Sequence, residues 1–273
     1  MGRRHRPKAR QIRVNSPRPL FPEWPKLSKR LRAARCRILL SDFDGTLVAI
    51  RRLPGAVRFS KATRRLLEQI RDAGSVVGVI SGRALEDVER RVAVSGIWYV
   101  GSHGYQLHDP RGRLISLATA TERRRVQRAV RQLRSRLAPL PGIRLDIKGA
   151  SVAVHYRTAS PTVAAKAREV VRQVLEQDSE LRLLAGKKVW ELLPGELVDK
   201  WTAIRRLLEE EKADTDRFVV YLGDDTTDEL VFRRMRQGIS VVVGRRRNTA
   251  ARYAVDSMGE VRHFLRLWLQ VVR

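Results

Sequence analysis

Two carboxylates stand two positions apart, Asp42 and Asp44, in the stretch L-L-S-D-F-D-G-T-L (39–47) at the end of an apolar run. Like charges that close together either mark a turn after a strand or share a cation or a reacting phosphate. Three other stretches carry similar chemistry: S-G-R (81–83), Lys200 ahead of a helical pattern, and G-D-D-T-T-D-E (223–229). Each has an ordinary reading when taken alone. Ser-Gly is common turn chemistry, a lysine before a helix is usually solvated, and Asp or Thr ahead of a helix is a normal N-cap. Their joint placement at strand ends and a helix start points elsewhere. Carboxylates from two strand ends make a hard, oxygen-rich site suited to Mg2+. A hydroxyl and an ammonium nearby suit phosphate oxygens. A carboxylate nucleophile forms an aspartyl-phosphate, which splits one difficult displacement into two. An acid two residues further on protonates the leaving oxygen and then activates water. In this reading Asp42 attacks and Asp44 carries protons.

The elements that hold these residues follow from periodicity. C-R-I-L-L-S-D-F (36–43), S-V-V-G-V-I (75–80) and I-W-Y-V (97–100) are short apolar runs of the kind found in buried parallel strands. S-K-A-T-R-R-L-L-E-Q-I-R-D-A-G (60–74) reads as a helix with Ser60 as N-cap and Gly74 past its end, and A-L-E-D-V-E-R-R-V (84–92) as another. A βαβαβ order implies a parallel sheet with right-handed crossovers. From about residue 105 the pattern becomes hairpins (105–117, 143–157, 181–194) and two long helices (121–137, 160–177), which describes a small α+β unit. The alternating pattern returns with a helix at 199–211, strands at 217–223 and 239–244, a helix at 228–235 and a closing helix at 259–272. The expected fold is α/β: a Rossmann-like parallel core, residues 36–104 and 191–273, interrupted by an inserted α+β domain over 105–190. Ligands of such sheets sit beyond the carboxyl ends of the strands, where Asp42, Ser81 and Gly223 fall.

The 273 residues are 43% hydrophobic and 31% charged, enough for a real core, and no run reaches the roughly 18–20 apolar residues of a membrane span. A single cysteine, Cys36, allows no disulfide within the chain and fits a reducing compartment. The N-terminal stretch has no apolar segment of secretory type, so the expected location is cytoplasmic. The net charge is +27, and 13 basic residues against one acid, Glu23, fall within residues 1–37. Residues 1–35 are expected to be a basic, disordered arm. The charge reads first as a solvated arginine-rich surface. The alternative is attraction to nucleic acid or another polyanion, although no nucleic-acid motif accompanies it.

The motif set resembles the haloacid-dehalogenase-like phosphatases. Within them it is similar to the trehalose-6-phosphate phosphatase family, on D-F-D-G-T-L (42–47), V-I-S-G-R (79–83), G-S-H-G (101–104), V-H-Y-R (154–157), W-E-L-L-P followed by V-D-K (190–200), and L-G-D-D-T-T-D-E (222–229). The resemblance covers about 36–270. It implies Asp42 as nucleophile and metal ligand, and Asp44 as general acid/base whose carbonyl also binds the metal. It implies Thr46, Ser81 and Gly82 around the phosphoryl group, with Lys200 balancing charge. Asp224 and Asp228 complete the Mg2+ site, Asp228 by orienting waters or Lys200. The inserted domain becomes a cap that closes over a small-molecule sugar phosphate, with Arg83, His103, Asp146, Lys148 and Glu191 toward the substrate. The implied reaction is Mg2+-dependent hydrolysis of trehalose 6-phosphate. Two other readings stay open: another sugar phosphate, such as sucrose 6-phosphate or a glycosyl phosphoglycerate, and a polyanion-binding protein on a phosphatase scaffold. Two positions depart from the family pattern. Trp201 replaces the usual glycine after the motif lysine and is expected to crowd or shield the phosphate end. Gln106 stands where an acid is common.

Overall fold

The computed structural model describes residues 16–50, 57–195, 198–212, 216–244 and 248–273. In chain order it begins with β1 (Arg18–Pro19), α1 (Leu20–Ala33), β2 (Cys36–Asp42), α2 (Lys61–Asp72), β3 (Val76–Ile80), α3 (Leu85–Val92) and β4 (Trp98–Gly101). A tight turn at Ser102–Gly104 leads to β5 (Gln106–His108) and β6 (Leu114–Ser116). Then come α4 (Ala120–Leu137), β7 (Arg144–Ile147), β8 (Val152–His155), α5 (Pro161–Gln177), β9 (Leu181–Gly186) and β10 (Val189–Pro194). The chain closes with α6 (Lys200–Glu210), β11 (Arg217–Gly223), α7 (Asp228–Arg234), β12 (Ile239–Val243), β13 (Tyr253–Val255) and α8 (Met258–Val272).

Nine strands form one sheet in the order β1-β13-β12-β11-β2-β3-β4-β5-β6. It is parallel from β1 to β4 and antiparallel where β5 and β6 are added. The chain moves outward from β2 in one direction through β3 and β4, and in the other through β11, β12 and β13. The end of β2 is therefore the switch point of the sheet, where the crevice for a ligand opens, and Asp42 is its last residue. Alternation of side chains across the pleat divides the core in two. Leu39, Val77, Val79 and Val220 pack toward α1, α2, α3 and α8. Ile38, Leu40, Ile80 and Tyr221 pack toward α6 and α7.

The second sheet is antiparallel, in the order β7-β8-β10-β9, with α4 and α5 on one face around Val154, Trp190 and Leu192. Both helices start as their sequences dictate. Thr119 and Glu122 make a reciprocal capping box, and the Ser160 side chain caps α5 ahead of Pro161.

Three expectations are corrected. Residues 16–35 do not belong to a disordered arm. Leu20, Leu27 and Leu31 line one face of α1 and are buried, Trp24 meets Phe264 of α8 edge-on at 5.3 Å, and Arg30 lies over the Phe218 ring at 5.5 Å. Three leucines at helical spacing outweigh the basic and proline-rich composition around them. Residues 1–15 of the expected arm lie outside the described residues. The hairpin at 106–116, expected in the inserted domain, instead extends the large sheet, because β5 pairs antiparallel with β4. The small sheet in turn runs on through Pro194, so Glu191 belongs to the inserted unit and not to the resumed core. Leu31→Ala should lower stability by about 2–5 kcal/mol, as fully buried leucines do, read from urea denaturation. An unchanged midpoint would mean that α1 is dispensable.

Candidate active site

The D-x-D loop follows β2 directly. Asp42 is 4% exposed, and its neighbour strand β11 ends in Gly223, ahead of Asp224, Asp225 and Asp228. Lys200, the first residue of α6, lies 2.7 Å from Asp42 Oδ1 and 2.7 Å from Asp228 Oδ1. It is held there by its helix, whose N-cap Asp199 accepts the Thr202 N–H at 2.8 Å. Asp228 is fully buried and its carboxylate is saturated. It accepts from Lys200 and the Tyr221 hydroxyl through Oδ1, and from the backbone N–H groups of Asp224 and Asp225 at 2.9 and 3.0 Å through Oδ2. Burial pushes the Asp42 carboxyl well above its usual range; Lys200 opposes this and Asp228 adds to it. Burial works against charge on Lys200, but Asp42 and Asp228 outweigh it and raise its pKa.

Asp42, Asp224 and Asp228 each bring a carboxylate oxygen within 4.8 Å of the others. Asp42 Oδ2 is buried and has no hydrogen-bond partner among the described residues. An unpartnered carboxylate oxygen beside two more acids suits a hard divalent cation such as Mg2+. Thr46 is buried, with its hydroxyl 3.4 Å from Asp224 Oδ1. Gly45 is what lets the two loops meet. Its φ is +89°, and a Cβ there would fall 2.0 Å from Asp224 Oδ2.

Ser81 is buried at the end of β3, where Oγ accepts the Arg83 N–H at 3.1 Å. Arg83, expected toward the substrate, is engaged by two acids. Its guanidinium grips Asp44 with two hydrogen bonds, at 2.6 and 2.8 Å, and Asp87 with a third. Gly82 lies under His103, whose ring carbon Cε1 would be 2.5 Å from an added Cβ. The Gly82 carbonyl accepts from Lys148 Nζ at 2.9 Å.

Lys148 heads a second buried cluster. It bonds both oxygens of Glu191, at 3.0 and 2.9 Å; Ser151 Oγ donates to Glu191 Oε1 at 2.6 Å, and His103 Nε2 lies 3.1 Å from Oε2. Burial opposes ionisation of Glu191, but His103, Lys148 and Ser151 hold its carboxyl down to about 2. The turn carrying His103 has positive φ at both Ser102 and His103, +51° and +57°. It is tied down by Ser102 N–H to Arg83 O at 2.6 Å and Ser102 Oγ to Lys148 O at 2.8 Å.

The structure thus gathers Asp42, Thr46, Lys200, Asp224 and Asp228 in one cluster. Asp44 and Arg83 form a pair beside Ser81, and His103, Lys148 and Glu191 form the second cluster, reached through Gly82. Asp146 is outside both. It shares a face with Glu191 across the small sheet, in the row Asp146–Ala153–Glu191–Leu184, but its side chain is 40% exposed and faces His155 at 3.8 Å. Sequence reasoning missed Tyr221, Ser151, Ser102 and Asp87. The first two sit on apolar strand patterns where a lone hydroxyl carries no signal. Ser102 lies inside the quoted G-S-H-G stretch and Asp87 four residues past S-G-R, and only the fold shows what they face. Trp201 does not crowd the phosphate end: it follows Lys200 by one helical position and packs with the apolar cluster of α6 and α7.

The model of the trehalose-phosphatase family matches residues 40–258. The chain is 36% identical over 231 residues to a trehalose-phosphate phosphatase of Mycobacterium ulcerans, covering 82% of this chain and 59% of that protein. It is 36% identical over 239 residues to a trehalose-phosphate phosphatase of Mycobacterium tuberculosis, covering 85% and 61%. The chain therefore spans about three fifths of the length of these curated relatives. Among solved structures, the C-terminal domain of a Candida albicans trehalose-6-phosphate phosphatase aligns with a TM-score of 0.73 at 22% identity, covering 95% of this chain and 99% of that one. An Aspergillus fumigatus trehalose-6-phosphate phosphatase aligns with a TM-score of 0.66 at 27% identity, covering 94% and 99%. The α/β fold expected from the sequence is the fold of these structures. Among the described residues no helix is long and apolar enough to cross a membrane.

The Glu191 cluster has a pH signature. Its carboxyl titrates at about 2 when folded, against 4.5 for the unperturbed group. Its contribution to stability is complete above about pH 4.5 and is lost as pH falls through about 2. Glu191→Gln should therefore cost about 3–5 kcal/mol at pH 7, as removal of one partner of a buried ion pair does, and the gap to the unsubstituted protein should close as the pH is lowered toward 2. Urea denaturation of both proteins across that range measures it; a constant gap would deny Glu191 its charged role.

Proposed function

The chain belongs to the trehalose-phosphatase family, and from that footing we propose that it is a phosphomonoesterase that hydrolyses trehalose 6-phosphate to trehalose and phosphate. The observation that carries the chemistry is the Asp42 carboxylate. One oxygen is fixed by Lys200, and the other has no partner among the described residues, at the switch point of the sheet. A carboxylate so placed has two oxygens to offer, one to phosphorus and one to a cation.

In the first step the Asp42 oxygen bonds to phosphorus and the bond from phosphorus to the sugar oxygen breaks. Asp44 gives its proton to that oxygen. In the second step Asp44 takes a proton from water, the water oxygen bonds to phosphorus, and the bond to Asp42 breaks, releasing phosphate and restoring Asp42 as the carboxylate and Asp44 as the protonated acid. Lys200 lies against Asp42 throughout and offsets the charge gathered there. Thr46, Ser81 and the Gly82 backbone hold the phosphoryl oxygens. A Mg2+ ion held by Asp42, Asp224 and the Asp44 carbonyl would supply further neutralisation of the phosphoryl group when bound. Asp228, whose oxygens already accept four hydrogen bonds, acts by fixing Lys200 and the Asp224 loop. The small sheet is the cap that selects the sugar: Lys148, Glu191 and His103 present charged and hydrogen-bonding groups to its hydroxyls, with Asp146 further out.

Gln106, standing where an acid is common in the family, supports a second substrate reading: another sugar phosphate. Phosphate release from trehalose 6-phosphate, beside glucose 6-phosphate, sucrose 6-phosphate and p-nitrophenyl phosphate, separates the two. The expected result is strong preference for trehalose 6-phosphate, loss of turnover in EDTA and its return with Mg2+. Asp42→Asn should lower turnover at least about a thousandfold with the circular dichroism spectrum unchanged. Turnover of the other substrates alone would keep the chemistry and remove trehalose. No turnover of any phosphate ester, together with salt-sensitive nucleic-acid binding that survives Asp42→Asn, would favour the polyanion reading.

A further inference from the structure

Asp87, in the first turn of α3, belongs to none of the four chemistry-bearing stretches, yet it stands directly behind one of their residues. Its Oδ2 accepts from Arg83 Nη1 at 2.9 Å and from Arg91 Nε at 2.8 Å, and its Oδ1 accepts from Arg90. Arg91 is itself fixed, donating to the Val57 carbonyl at 2.9 Å. Burial works against charge on Asp87, but Arg91 and Arg83 hold its carboxyl below the usual range.

The remaining edge of the Arg83 guanidinium is the one that grips Asp44, Nε to Oδ2 and Nη2 to Oδ1. The plane of this fork is set from three sides: by Asp87, by the Phe43 ring 5.5 Å from the guanidinium carbon, and by the Arg83 N–H on Ser81 Oγ. A two-pronged pairing fixes both the position and the plane of a carboxylate, which a single hydrogen bond cannot do. Arg83 also needs a second acid. While Asp44 carries a proton or turns toward the substrate, Asp87 is the carboxylate that keeps the half-buried guanidinium paired and in place.

We propose that Asp87 is a positioning residue which, through Arg83, sets the orientation of the Asp44 carboxyl group and thereby the delivery of its proton to the leaving oxygen. This rests on the phosphatase reading above. The step it serves is the first: the oxygen of Asp42 bonds to phosphorus, the ester bond breaks with its electron pair on the leaving oxygen, and that oxygen takes the Asp44 proton. The resulting Asp44 carboxylate is the form the Arg83 fork fits.

A leaving group that departs readily as an anion needs no proton, so loss of orientation must fall on poor leaving groups alone. The experiment compares kcat/KM, which reports steps through the first irreversible one, for trehalose 6-phosphate and for aryl phosphates with leaving groups from strongly to weakly acidic. Asp87→Asn should lower kcat/KM at least about tenfold on the sugar phosphate and the weakly acidic phenols. It should change p-nitrophenyl phosphate less than about twofold, steepening the leaving-group dependence. Asp87→Ser should repeat the pattern, and Asp87→Glu should restore most of the loss. Equal losses on every substrate, or none on any, overturn the proposal. An unsubstituted protein that hydrolyses aryl phosphates but not trehalose 6-phosphate removes the sugar assignment, and the aryl series then decides on Asp87. If it hydrolyses no phosphomonoester, both readings fall.

Discussion

Lys200 carries an ammonium group to 3% exposure and places it 2.7 Å from each of two carboxylates. Taking three charges out of water costs several kcal/mol per ion, and close, well-directed pairing is the only thing that offsets it. That condition reaches far into the fold. Asp42 must end β2 in the middle of the sheet, Asp228 must open α7, and α6 must start at Lys200. Asp199 links two of these elements. It caps α6 through the Thr202 N–H, and its other oxygen accepts from Arg234 of α7 at 2.7 Å. Even so the cluster stays short of positive charge, with Asp42, Asp224 and Asp228 set against one lysine. Burial raises the Asp42 carboxyl first, Lys200 opposes it, and the neighbouring charges of Asp228 and Asp224, which are that deficit, raise it further. A divalent cation and a phosphate dianion would enter together as a nearly neutral pair.

The seam between the two sheets obeys the same rule on a smaller scale. Lys148 and Glu191 come from the small sheet, while His103 and the Gly82 carbonyl come from the large one. Lys148, Glu191 and Ser151 pair within the small-sheet unit, and His103 and the Gly82 carbonyl add contacts from the large sheet, so the same cluster also ties the two sheets together. Gly82 is shared between the two clusters. Its neighbour Ser81 lies beside the Asp44–Arg83 pair, its carbonyl accepts from Lys148, and its missing side chain leaves room for His103. The two clusters are therefore separate in chemistry but joined through one residue of backbone.

The core was legible because parallel strands covered on both faces must be continuous apolar runs, and residues 36–43, 75–80, 217–223 and 239–244 are. The acidic cluster around Lys200 was legible for a related reason: charged residues directly after such runs have few structural uses. Legibility failed where local pattern and tertiary pairing part. The hairpin at 106–116 looks the same whichever sheet it joins, and only its pairing with β4 decides. Helix α1 hides three buried leucines among prolines, lysines and arginines, and its packing partner α8 lies more than two hundred residues away in sequence. Asp146 lies on β7 while Lys148 falls one residue past its end, and sequence spacing could not say that only Lys148 would reach Glu191. Arg83 was read as reaching toward substrate, because nothing in S-G-R reveals the acid behind it on α3.

The two departures from the family pattern have different physical weight. Trp201 begins a helix whose first residue, Lys200, points into the site. The next residue is rotated by about 100° around the axis and so turns to the side of α7. Its indole packs against the apolar face there and leaves the phosphate end untouched. Gln106 is placed where charge would matter. Its side-chain oxygen accepts from Ser102 Oγ at 3.1 Å, and its amide lies against the turn at Gly149. Ser102 is the same residue that bonds the Lys148 carbonyl. A carboxylate at position 106 would accept from the Ser102 hydroxyl as the amide oxygen does, but it would offer no N–H beside Gly149 and would add a negative charge to the seam. With a neutral amide there, Lys148 and Glu191 remain the charged pair of the seam.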